Sequence, residues 1–239
     1  MDIKRQYFDL IKDRVDDAYD RQKDKIREVA EMFVACMENG GVVQLFGVRH
    51  GEEFVNELNY RAGGIAQYHG LKFRDMVLNG FIDQKDIDSG EIYNDISVVD
   101  KFGQAFVLDD RDMYCIVSFY GNEPLAVELA RRVKENGQKV VAVVNKKSYD
   151  RVNGTLLDYC DAYLDMDADE PDTALDLDGI KVGQLSSTVT NVIAQMITAD
   201  VYNCFVEMKK EAPVLLSANI KGADVHNNSL TDPYGRRIR

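Results

Sequence analysis

His50 and Glu57 stand seven residues apart in GGVVQLFGVRHGEEFVNELNYRAGG, Gly40 to Gly64. An imidazole changes protonation near neutral pH, and a carboxylate gains basicity when buried, so the two together suit general acid–base work. A 1,2 proton shift needs such a pair, with a base at one carbon and an acid at the neighbouring oxygen. The competing reading of Glu57 is an i,i+4 ion pair with Arg61 on a helix surface. Arg49, beside His50, either grips a phosphate or carboxylate bidentately or pairs with an acidic neighbour in solvent.

Positioning these groups takes a strand, a turn and a helix. Val42 to Phe46 reads as a buried strand, Gly47 to Gly51 as a tight loop, and Glu52 and Glu53 as the opening of a helix. In a parallel α/β sheet, a loop between a strand's carboxyl end and a helix's amino end is where ligands sit, because the helix offers unpaired N–H groups there. Phosphate is the natural guest of such a place. A second strand and loop are read in MYCIVSFYGNEP, Met113 to Pro124, which holds Ser118, Gly121 and Asn122. Ser186, Ser187 and Thr188 sit at a helix start whose apolar face runs Val189, Val192, Ile193, Met196, Ile197, Val201 and Phe205. Their hydroxyls either cap that helix or donate to a bound anion. Asn219, His226 and Asn227 crowd the tail after a strand-like PVLLSA.

The remaining pattern is that of alternating strands and helices. Ile3 to Met37 carries apolar residues at helical spacing around an almost wholly polar middle, DDAYDRQKDK, where the helix is expected to break or project. Its apolar stripe needs a cover, either a second subunit or the chain's own sheet. Ile65 to Tyr68 suggests a short strand, with His69 a bystander at its end, and a helix is expected from Ile96 to Leu108. Pro124 starts a helix that Asn136 and Gly137 end, and Lys139 to Asn145 is an apolar β-branched run suited to a strand covered on both faces. Cys160 to Met166 reads as an edge strand, and DMDADEPDTALDLDGI as an exposed acidic excursion.

Composition narrows the partners. The 239 residues suffice for one substantial core, and a net charge of -12 without a basic stripe argues against nucleic acid. No apolar run reaches the roughly 18 residues that span a bilayer, and the amino terminus lacks an apolar signal region, so a cytoplasmic protein without a membrane partner is expected. Four scattered cysteines and three histidines suggest neither a disulfide framework nor a metal site.

GGVVQLFG with His50 and NELNYRAGG, KVGQLSSTVTNVIAQMI (Lys181 to Ile197) and LLSANIKGADVHNNSL (Leu215 to Leu230) resemble the SIS (sugar isomerase) domain family, in particular its small stand-alone bacterial members. The resemblance implies a three-layer, flavodoxin-like α/β sandwich with a mainly parallel five-stranded sheet. It implies a helical arm, residues 1–38, that commonly packs across a homodimer, and an α/β domain over 39–239. It further implies a phosphorylated sugar as ligand, with aldose–ketose isomerisation that needs no cofactor. Glu57 would be the base and His50 or His226 its partner, while Gly47, Arg49, Arg61, Ser118, Gly121, Asn122, Ser186, Ser187, Thr188 and Asn219 would hold substrate. Two departures stand out: Val48 to Gly51 lacks the usual loop hydroxyl, and Tyr120 replaces the second serine of Ser-x-Ser-Gly. A non-catalytic sugar sensor, or a lyase acting on an amino-sugar phosphate, shares the same scaffold.

Overall fold

Three strands, Val43–Gly47, Met113–Val117 and Val140–Val144, have every residue buried, as β-branched runs do in a sheet with no wet face. A computed structural model describes residues 2–170 and 172–238. In chain order the elements are α1 (Ile3–Glu38), β1 (Val43–Gly47), α2 (Glu52–Leu58), β2 (Tyr68–Gly70), α3 (Phe73–Leu78), α4 (Gln84–Ser89), α5 (Val98–Ala105), β3 (Met113–Val117), α6 (Pro124–Glu135), β4 (Val140–Val144), α7 (Lys146–Val152), β5 (Ala162–Asp165), β6 (Leu175–Leu177), β7 (Ile180–Val182), α8 (Ser186–Glu207) and α9 (Ala223–Thr231). The first five strands form one parallel sheet in the order β2-β1-β3-β4-β5. Leu45, Cys115, Val141 and Val143 face a core shared with α1, α2 and α8, while Phe46, Ile116, Ala142 and Val144 face one shared with α3, α5 and α6. The three-layer α/β sandwich expected from the sequence is present.

Two elements differ from expectation for a visible reason. α1 does not break at its polar middle, because that stretch is docked: Gln22 accepts from the Asp165 amide at 2.6 Å and donates to its carbonyl at 2.9 Å, and Arg14 and Arg21 pair with Asp169 and Asp167. The carboxyl half of the apolar stripe is covered from within the chain, Ile26, Val29, Phe33 and Val34 sharing a core with Val189, Ile193, Ile197 and Phe205 of α8, while Ile3, Phe8 and Tyr19 of its amino half stay about half exposed. The acidic excursion, in turn, is partly ordered into the antiparallel β6–β7 hairpin, turned by Asp178 and Gly179 at φ +54° and +84°. Asp-Gly supplies the left-handed pair that a tight hairpin turn demands. Smaller shifts affect the short strand, which is Tyr68–Gly70 with Ile65 in a lone bridge to Val214, and α5, which is shorter than the span read from its apolar pattern.

A string of buried polar side chains crosses the sheet. His69, 6% exposed, shares a 2.7 Å hydrogen bond with Gln44 Oε1; Gln44 Nε2 donates to Asp112 at 2.9 Å; and Asp112 accepts from the Val42 and Asp109 amides and pairs with Arg237 near the end of the chain. Because the Asp112 side chain has no exposure and Arg237 only 12%, Asp112→Ala strands a buried cation. It is expected to cost about 3 kcal/mol in urea unfolding, and a loss under about 1 kcal/mol would refute the clasp. Burial lowers the His69 imidazole to about 4, against an ordinary 6.5, so the fold holds it neutral. Its contribution is complete above pH ~6.5 and is lost as the pH falls from there towards ~4, at about 1.4 kcal/mol per pH unit. His69→Gln is expected to flatten that part of the stability–pH curve, measured by urea unfolding; an unchanged slope would place the titration elsewhere.

Candidate functional site

Between β1 and β3 the chain leaves the sheet towards opposite faces, and a cavity of about 550 Å³ opens at the carboxyl ends of these strands. The loop after β1 supplies Val48, Arg49, His50 and Gly51. It folds back so tightly that a Cβ on Gly47 would lie 2.3 Å from the Gly51 carbonyl carbon, so Gly47 shapes the loop and does not line the cavity. Arg49 is held at φ +51°, its amide 3.3 Å from the Tyr93 hydroxyl and its guanidinium 4.7 Å from the Tyr93 ring centre. A left-handed backbone at a non-glycine residue costs about 1–2 kcal/mol, which the stacked side chain helps to offset. His50 is exposed at the rim.

The loop after β3 is organised by Ser118. Its buried Oγ accepts from the Gly121 amide at 2.7 Å and donates to the carboxylate of Glu123, which lines the cavity just before Pro124 starts α6. Gly121 is at φ +63° with the Tyr149 ring where a Cβ would go, and Asn122 points to solvent. Both therefore serve the turn without lining the cavity. Tyr120 does line it, and donates to Glu170 at 3.1 Å.

Glu170 gathers donors from three places: Tyr120, the Ser148 hydroxyl at 3.0 Å and Arg151 at 2.5 Å. Desolvation pushes its carboxyl up, but these hydrogen bonds outweigh it and hold the group below the usual carboxylate range. Burial and the bond to Glu170 in turn raise the Tyr120 phenol. At the start of α8, Asp172 accepts from the Leu185 and Ser186 amides at 3.3 and 2.8 Å and from the Ser186 hydroxyl. Ser187 lines the cavity beside them, 7% exposed, its Oγ buried without a hydrogen-bond partner. Thr190 completes that wall and donates to the Ser186 carbonyl at 2.8 Å.

Of the catalytic candidates, His50 reaches this cavity. Glu57 pairs with Arg61 and accepts from Gln195 at 2.7 Å; Gln195 lies eight residues beyond Ser187 on α8, about 12 Å along the helix axis. Neither Glu57 nor Arg61 lines the cavity. His226 on α9 donates to the Val214 carbonyl at 2.9 Å, and the neighbouring Asn227 brackets the Leu216 backbone, so this pair ties down the tail. Asn219 is exposed in the turn before α9. Thr188 stands outside the lining, 3.5 Å from the Tyr7 hydroxyl. Among the described residues no group of three or more His, Cys, Asp or Glu side chains is arranged to hold a metal ion.

Glu123, Arg151, Glu170, Asp172 and Thr190 line the cavity although the sequence reading named none of them as a site residue. Two had a signal available. An acid directly before a proline that opens a helix, at the end of a buried strand, places Glu123 at a ligand-facing edge. Thr190 follows Ser186 by one helical turn and shares its face.

Comparison with known proteins agrees with this geometry. The SIS domain matches residues 6–145. A UPF0309 protein of Geobacillus thermodenitrificans is 25% identical over 246 residues, covering 98% of this chain and 95% of its own, and one of Brucella canis is 28% identical over 244 residues, covering 99% and 98%. The structure of a phosphoheptose isomerase from Francisella tularensis shares the fold, with a TM-score of 0.52 at 15% identity over 84% of this chain and 96% of that one. The match extends over more than half of the residues and takes in β1, β3, β4 and both cavity loops that follow β1 and β3, so the chain belongs to the SIS domain family.

Proposed function

We propose that the cavity binds a phosphorylated sugar or sugar derivative and interconverts its aldose and ketose forms. In this reading Glu123 is the base that takes the proton from the carbon beside the carbonyl. His50 gives a proton to the carbonyl oxygen; Glu123 then returns its proton to the neighbouring carbon of the enediol while the other enediol hydroxyl gives its proton back to His50. Ser186, Ser187, Arg49 and Arg151 hold the polar groups of the ligand. The observation that supports this most is that a carboxylate and an imidazole line one cavity, Glu123 accepting from the Ser118 hydroxyl. Glu57 is instead engaged by Arg61 and Gln195, outside the lining.

A second reading, a sugar-ligand sensor without turnover, is favoured by the cavity's acids being engaged within the chain: Glu123 takes Ser118, Glu170 takes Ser148 and Arg151, and Asp172 takes Ser186. The two separate in a panel of aldose and ketose phosphates followed by NMR in D2O, with thermal stabilisation as the binding readout. An isomerase incorporates deuterium at the carbon next to the carbonyl; a sensor is stabilised by one member and exchanges nothing. Glu123→Gln is expected to lower turnover by about 10²–10⁴-fold while the ligand still stabilises the protein. Glu57→Gln is expected to leave turnover within about tenfold. An equal loss in Glu57→Gln, with Glu123→Gln active, would move the base to Glu57 and sink this assignment.

A further inference from the structure

The amino end of α8 is built to hold an anion and already holds one of the chain's own. The Asp172 carboxylate takes two of the amides there, those of Leu185 and Ser186, together with the Ser186 hydroxyl, on a helix 22 residues long. The acids of that region that do not line the cavity behave differently: Asp167 and Asp169 pair outward with Arg21, and with Arg14 and Lys147. Asp172 is not needed to satisfy a cation; its oxygens meet hydrogen-bond donors alone in the contacts just described. An independent observation points to a ligand at the same spot. Ser187, the next residue of the first turn, is more than nine-tenths buried in the cavity wall, and its hydroxyl oxygen has no partner. A buried hydroxyl left unpaired costs about 1–3 kcal/mol unless something else completes it.

We propose that the first turn of α8 is the phosphate subsite of the cavity, and that Asp172 is an internal competitor which the ligand's phosphate displaces. The proposal deepens the phosphosugar reading and rests on it. A phosphate carries up to one more negative charge than a carboxylate and three terminal oxygens instead of two. It can take the Leu185 and Ser186 amides and the Ser186 hydroxyl and still accept from Ser187, which Asp172 leaves unpartnered. Because Asp172 is tethered to the site, it competes at an effective concentration of roughly millimolar or more, so weak anions are screened out. Only a ligand that gains from the remaining contacts of the cavity displaces it. The subsite thus acts as a threshold on affinity and discriminates phosphorylated ligands from free phosphate.

The test uses the whole chain and inorganic phosphate as probe, titrated by NMR on the amides of Leu185 and Ser186, with thermal melts to confirm folding. Asp172→Asn is expected to bind phosphate about tenfold more tightly than the parent. Asp169→Asn, the same change of charge three residues away, is expected to leave the affinity unchanged. Ser187→Ala, made in the Asp172→Asn background, is expected to weaken phosphate binding at least threefold without loss of thermal stability. Equal or weaker binding in Asp172→Asn, no binding at all, or indifference to Ser187→Ala each overturns the proposal. Failure of the isomerase reading would appear differently, as an absence of sugar turnover alongside an intact gain in phosphate affinity.

Discussion

A parallel sheet sealed on both faces governs this molecule. Every strand residue of β1, β3 and β4 is buried, so polar chemistry has no place on the sheet except as fully hydrogen-bonded strings such as His69–Gln44–Asp112. Functional groups are pushed to the strand ends, where the backbone turns away and N–H groups come free. The order β2-β1-β3-β4-β5 then selects one gap, since β1 and β3 are neighbours whose following helices, α2 and α6, lie on opposite sides. The cavity is the geometric residue of that divergence.

Its electrostatics follow from the chain's acidity. With 41 acidic and 29 basic side chains, the protein cannot pair every carboxylate with a cation. Some of the excess is turned inward and satisfied by amides and hydroxyls, Asp172 on α8 and Glu123 on Ser118, while Glu170 pairs with Arg151 and takes the Tyr120 and Ser148 hydroxyls as well. A cavity arranged in this way favours ligands that bring their own donors, such as sugar hydroxyls, and admits an extra anion only by exchange. Tyr120 belongs to the same arrangement, because its phenol donates to Glu170 from the cavity wall.

Much of the framework was legible in the residues. The β-branched run before Asn145, the Pro124 start, the Asn136-Gly137 stop and the apolar face of α8 each report a local physical requirement, and each element stands where its pattern placed it. What stayed hidden depends on distant partners. The polar middle of α1 stays helical because Gln22 meets the backbone of Asp165, 143 positions away, and no window on the helix itself contains that information. The same holds for Asp112 with Arg237. Glu170 and Asp172 escaped notice for a further reason: composition treats an acidic stretch as solvated, whereas two of its members turn in to cap donors. His50 was readable from its loop, whereas Glu57, matched through NELNYRAGG, sits on α2 engaged by Arg61 and Gln195 outside the cavity lining.

The pairing of α1 with α8 imposes an order on biosynthesis. α1 ends at Glu38 and has its apolar side completed by a helix that begins only at Ser186, while the residue that clasps Asp112 is Arg237. At about 5–20 residues per second, α1 waits on the order of ten to thirty seconds for its cover. Throughout that interval its Ile26, Val29 and Phe33 are free to meet holdase chaperones or another nascent chain, and the native core closes only once α8 has been made.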